Sequence, residues 1–200
     1  QRVSTTGYHN VAIGNQTNRA LTTAHNTVSV GRQSGHRITT GYNNTCIGAL
    51  AGEYISTGVN NSCIGYGAQV SSGTVYNEYT LGDNNVGNLR CNDTSISSLS
   101  DERDKTNIVD IPLGLTFINT VRPVSFDWNR RDGSMAGKKD FGFIAQELKT
   151  AADATDYADH MRLVHDNNPD LLEADPMKMF PVLVNAIQEL SAEIELLKNA

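Results

Sequence analysis

Residues 40–56 read Thr40-Gly41-Tyr42-Asn43-Asn44-Thr45-Cys46-Ile47-Gly48-Ala49-Leu50-Ala51-Gly52-Glu53-Tyr54-Ile55-Ser56, and at Thr57 the same order begins again. The period is seventeen residues, and threonine opens five copies, at Thr6, Thr23, Thr40, Thr57 and Thr74. Ile13, Val30, Ile47, Ile64 and Leu81 form an apolar column, each followed by a glycine: Gly14, Gly31, Gly48, Gly65 and Gly82. Eight residues further on, a second column holds Leu21, Ile38, Ile55, Ser72 and Leu89, while Asn26, Asn43, Asn60 and Asn77 recur three places after the threonine. A short fixed period punctuated by glycine predicts a solenoid, in which each coil covers the apolar face of its neighbour.

Within a coil, the alternation in Val11-Ala12-Ile13, Thr45-Cys46-Ile47 and Ser62-Cys63-Ile64 predicts a strand before each glycine. The second column predicts a second strand, with turns at the glycines and at Thr40-Gly41 and Thr57-Gly58. Two strands and two turns per coil make a flattened β-roll or β-helix, in which Asn and Gly supply the positive φ of tight turns. The small column Ala12, Ser29, Cys46, Cys63 and Thr80 faces away from the isoleucine column and is expected to pack against another chain. So thin a roll buries little surface, which predicts three chains along a common axis. Cys46 and Cys63 fall on adjacent coils, about 4.8 Å apart, and read as buried free thiols or, alternatively, as a bridge. Three cysteines do not make a disulfide framework.

Composition divides the chain. Residues 1–99 carry five Arg, no Lys and four acids; residues 100–200 carry eleven basic and eighteen acidic side chains. Neither half is basic enough to track phosphates, so no nucleic-acid partner is expected, and no apolar run approaches the roughly 20 residues of a membrane span. The acids of the repeat half, Glu53, Glu78, Asp83 and Asp93, form no pair of the kind glycosidases use. No metal or other cofactor is expected: His160 and His165 lie five apart, at neither i+3 nor i+4, and read as surface residues. Because the chain opens at Gln1, already inside the repeat, it is expected to be the C-terminal part of something longer.

The repeat gives way at Ser95-Ile96-Ser97-Ser98-Leu99 to Ser100-Asp101-Glu102-Arg103-Asp104-Lys105-Thr106-Asn107-Ile108. Taken alone, this is a polar helix start with Ser100 as N-cap and acids in the first turn. Three more blocks follow: Val121-Arg122-Pro123-Val124-Ser125-Phe126-Asp127-Trp128, Phe141-Gly142-Phe143-Ile144-Ala145-Gln146-Glu147-Leu148, and Phe180-Pro181-Val182-Leu183-Val184-Asn185-Ala186-Ile187-Gln188-Glu189-Leu190. Together the four blocks resemble the intramolecular chaperone auto-processing domain at the C-termini of phage tail spikes and tail fibres, including endosialidases. The resemblance covers about residues 98–198.

The resemblance implies a homotrimeric folding clamp that releases itself through a serine–lysine dyad once the stalk has assembled. Carried onto this chain, Ser100 becomes the nucleophile and Lys105 the general base, with Asp101 and Arg103 as candidates for support. A serine hydroxyl needs a base to become nucleophilic, and lysine serves only when neutral, which burial or a nearby cation favours. Arg103 could be that cation or could pair with Asp101. Positions i and i+5 share no helical face, so the dyad requires a turn or a contact between chains. Attack of Ser100 on the Leu99 carbonyl closes a five-membered ring, which favours cleavage at Leu99–Ser100; Ser100–Asp101 is the alternative if another nucleophile acts.

The expected architecture is therefore an all-β repeat stalk over 1–97, then an α+β chaperone domain over 98–200. The chaperone half should contain a helix from about Leu113 to Thr120, a strand over Val124–Trp128, a charged hairpin or loop over Arg130–Asp140 and a strand leading into a helix over Phe141–Leu148. Leu183, Ile187, Leu190, Ile194 and Leu197 are spaced 4-3-4-3, the seam of a coiled coil, which puts a coiled-coil helix over 179–198. The expected location is the virion, after assembly in the host cytoplasm. A host cell-surface receptor is the expected partner of the parent fibre. The competing reading is a receptor-binding fibre tip with an uncleaved trimerisation domain. In that reading Tyr8, Tyr42, Tyr54, Tyr66 and Tyr76 could stack on sugars, although they read as scattered among columns.

Overall fold

The computed structural model describes residues 6–93 and 96–200; Gln1 and the junction residue Ser95 lie outside the described residues. The chain divides into two compact units, Gln1–Leu89 and Arg90–Ala200.

The first unit is a parallel β-solenoid. Each coil contributes one three-residue strand: β1 (Val11–Ile13), β2 (Val28–Val30), β3 (Thr45–Ile47), β4 (Ser62–Ile64) and β5 (Tyr79–Leu81). They stack in chain order, each residue paired with the one seventeen places on, as in Cys46↔Cys63 and Ile47↔Ile64. Among the described residues the predicted second strand is not formed. The second column lies instead in a run of turns, whose backbone still bonds from coil to coil: Thr22 N–H to Thr39 O, Thr39 N–H to Ser56 O, and Ser56 N–H to Gly73 O.

The sidedness of the strands is the reverse of the sequence expectation. Ser29, Cys46 and Cys63 are fully buried, whereas Ile13 is 60% and Ile47 41% exposed. The interior explains this. Leu21, Ile38 and Ile55 fill it from the opposite side, one large side chain per coil, and only small residues fit across from them. A Cβ on Gly52 would lie 2.4 Å from Cys46 Sγ and 3.0 Å from Ile55 Cδ1, so a strand residue larger than cysteine has no room inward. The isoleucine column is therefore the outer face. Cys46 and Cys63 are free thiols, and the hydrogen bond to Cys63, with burial, pushes the Cys46 thiol far above its ordinary pKa.

Side chains repeat the backbone's stacking. Asn10, Asn44 and Asn61 each accept the backbone N–H one coil on (Thr27, Asn61, Glu78) at 3.0, 3.0 and 2.9 Å. Their amides donate to Ala24 O, Gly58 O and Val75 O, so each of these three side chains has both its amide oxygen and its amide nitrogen hydrogen-bonded. Nor are the tyrosines all scattered: Tyr8 and Tyr42 share a column with His25, and the three rings stack at 4.8 and 4.7 Å, 9° and 6° from parallel. Rings stacked this way spend faces on one another, whereas Tyr54, Tyr66 and Tyr76 lie outside the stack and are exposed.

The second unit is α+β. It comprises α1 (Leu115–Ile118), the antiparallel hairpin of β6 (Val124–Asp127) and β7 (Lys139–Gly142), then α2 (Ala145–Asp153) and α3 (Ala158–Met161). The small pair β8 (Val164–His165) and β9 (Glu173–Ala174) follows, and the long α4 (Phe180–Lys198) ends the chain. Phe117, Leu148, Met161, Leu163, Met179 and Val182 form its buried core. Phe141 and Phe180 remain largely exposed, as do Leu183, Ile187, Leu190, Ile194 and Leu197 along α4. Among the described residues no helix is long and apolar enough to cross a membrane.

Candidate functional site

The chain around Ser100 folds as one tight turn. Glu102–Asp104 form a single 3-10 turn capped by Asp101, whose carboxylate accepts the Arg103 N–H at 2.9 Å. Asp101 thus takes the capping role that the sequence assigned to Ser100. Lys105 closes the turn, its N–H bonded to Glu102 O at 3.0 Å, and resumes extended backbone. The turn brings the two ends of a six-residue segment together: Lys105 Nζ stands 2.6 Å from Ser100 Oγ and 3.1 Å from the Ser100 carbonyl oxygen. That is hydrogen-bond reach between an amine and a hydroxyl, the distance a nucleophile and its base would need.

Arg103 does not point at the lysine. Its Nε and Nη2 donate to the two Asp101 oxygens at 2.9 and 2.6 Å, a two-pronged pairing. This holds the Asp101 carboxyl below its ordinary pKa, the hydrogen bonds from Arg103 being the cause. The supporting pair therefore shapes the turn. Leu99, which precedes Ser100 in the chain, is 99% exposed, and Ser100 and Lys105 are exposed as well. Among the described residues no group of three or more His, Cys, Asp or Glu side chains is gathered as for a metal.

Beyond Lys105 the chain bends at Asn107, whose φ is +54°, and forms one side of a groove of about 840 Å³, lined by Ile108, Ile111, Leu113, Tyr157, Met161 and Phe180 among others. At the groove's end α4 grips it. Asn185 Nδ2 donates to Leu113 O at 3.1 Å and Ile111 O at 3.3 Å, and Glu189 Oε2 accepts the Leu115 N–H at 2.6 Å. Glu189 thereby caps α1, whose own N-cap, Gly114, offers no side chain. Sequence reasoning saw Asn185 and Glu189 only as part of a motif block. Their Asn-x-x-x-Glu spacing on one helix face, together with Gly114, was the signal available.

Comparison with known proteins finds a similarity within this unit. Residues 100–160 match Peptidase_S74, described as the chaperone of endosialidase. That match supports an intramolecular chaperone domain of the kind found on phage tail proteins. Neither the curated proteins nor the solved structures contain a match to the chain.

Proposed function

We propose that this chain is the C-terminal part of a phage tail fibre or tail spike whose chaperone domain gathers three copies, lets the solenoid wind, and then severs itself beside Ser100. The reading is carried by the 2.6 Å contact between Lys105 Nζ and Ser100 Oγ, at the first residues of the segment that matches the chaperone family.

The chemistry follows from the turn. Assembly that covers Lys105 would penalise its ammonium form and favour the neutral amine. Lys105 then takes the proton from Ser100 Oγ, which attacks the Leu99 carbonyl carbon to close a five-membered ring. The proton passes to the Ser100 nitrogen as the C–N bond breaks, leaving Leu99 as an ester on Ser100 Oγ. Water hydrolyses that ester, freeing the Leu99 carboxylate and a new Ser100 amino terminus. Lys105 is the base again for the water.

Trimerisation is supported by two unpartnered apolar surfaces. One is the outer strand column of the solenoid, with Ile13, Ile47 and Leu81 all at least 41% exposed. The other is the 4-3-4-3 stripe of α4, where Ile187 is 62% and Leu197 77% exposed. Contiguous apolar surface of this kind marks an association face, and heptad spacing fits helix against helix. Cleavage would leave the solenoid trimer held by its unfolding barrier once the clamp is gone. The assembled shaft belongs to the virion, where the parent fibre meets a host surface receptor. The test is a denaturing gel of freshly expressed protein. Wild type gives two fragments, while Ser100→Ala, Lys105→Ala and Lys105→Arg each give one uncut chain; a normal fragment yield from Ser100→Ala would remove the mechanism.

A further inference from the structure

We infer that Asn185 and Glu189 are positioning residues that couple the assembly helix α4 to the cleavage turn, an inference that rests on the self-cleavage reading above. Among the described residues, the backbone of 106–113 has no hydrogen bond to the domain other than those from Asn185 to Ile111 O and Leu113 O. The segment is thus hydrogen-bonded to the domain only at the Asn185–Glu189 grip, with exposed Ile108 and Val109 between the grip and the self-contained Ser100–Lys105 turn. Asn185 also donates to Glu189 Oε1 at 3.1 Å, which makes the two side chains one unit. Gly114 allows the approach: a Cβ there would stand 2.1 Å from Glu189 Oε1.

The two faces of α4 give the grip a purpose. At 100° per residue, Asn185 and Glu189 lie roughly 140° around the helix from the stripe of Leu183, Ile187, Leu190, Ile194 and Leu197. Partner helices seated on the stripe fix the rotation and tilt of α4, and the grip passes that placement to Ile111–Leu115 and so to the turn. In the single protomer α4 is held through its buried face, Val182 and Ala186; partner helices on the stripe fix it further and narrow the approach of Ser100 Oγ to its target. Displacement of a reacting group by about 1 Å can cost about a hundredfold in rate, so loss of the grip should slow cleavage by about tenfold or more.

The experiment separates trimeric from other material by size before the gel. Glu189→Leu and Asn185→Leu are expected to leave uncut chain inside an intact trimeric fraction. Glu189→Gln, which keeps an acceptor for the Leu115 N–H, restores most of the rate. Gly114→Ala reproduces the defect by displacing Glu189, and the Gly114→Ala/Glu189→Leu double variant is no slower than either alone. Wild-type cleavage rates in the leucine variants overturn the inference. So does uncut chain confined to monomer or aggregate, the mark of an ordinary folding contact. In either case wild type still cuts and the self-cleavage reading stands. A wild-type chain that never cuts overturns both.

Discussion

Gly48 shows what one position in each coil must be. Its φ is +129°, and a Cβ there would stand 2.4 Å from the Gly65 carbonyl oxygen of the next coil. Gly48→Ala is therefore expected to lower the stability of the solenoid by about 1–3 kcal/mol or more, read from a urea unfolding midpoint; an unchanged midpoint would contradict the close approach. At the turn, the Asp101 carboxyl is depressed by Arg103. A depressed acid stabilises above its ordinary value of 3.8 and loses that contribution as pH falls through its lowered value. The Asp101–Arg103 clip is thus intact at neutral pH and opens only in acid. Titration of Asp101 by carboxyl carbon shifts should give a midpoint below 3.8, returning toward that value in Arg103→Gln. At this scale the identities of Ser100 and Lys105 were legible through a motif. Their contact was not, because it depends on a 3-10 turn that the four intervening residues do not announce.

Strands and helices were legible unequally. The seventeen-residue period stood out because every coil repeats the same contacts, so a single reading serves the whole solenoid. Which strand face turns inward was hidden. A three-residue strand offers two faces, and the larger apolar side chains were read as the core. The coil is too thin for that: Ile38 and Ile55 occupy the interior, leaving room opposite only for Ser29 and Cys46. The consequence is testable, since Ile38→Ala empties a fully buried site and should cost about 2–5 kcal/mol. Ile47→Asp should leave the solenoid protomer folded while weakening association, as followed by sedimentation. Equal loss of fold in the two variants would contradict the assigned sidedness. On α4 the heptad spacing was visible, but the grip of Asn185 and Glu189 was not, since it joins residues some seventy positions apart in the chain.

For the molecule as a whole, each unit leaves apolar surface that one protomer cannot cover. The solenoid exposes its isoleucine column, and the chaperone unit exposes α4 along one stripe. Long-range pairing between coils is slow to nucleate, and three chains tethered through α4 would begin it in register. Leu190→Asp, which puts a charge into the stripe, is expected to give monomeric and largely uncut chain if assembly precedes cleavage as proposed; complete cutting of a monomer would separate the two events and contradict that order.

The most direct test is the intact mass of chains recovered from the trimeric fraction, wild type beside Ser100→Ala. The account predicts a wild-type pair of fragments, one ending at Leu99 and one beginning at Ser100, and a single unbroken chain from the variant. An unbroken wild-type chain in the trimer, or the same two fragments from Ser100→Ala, would contradict it.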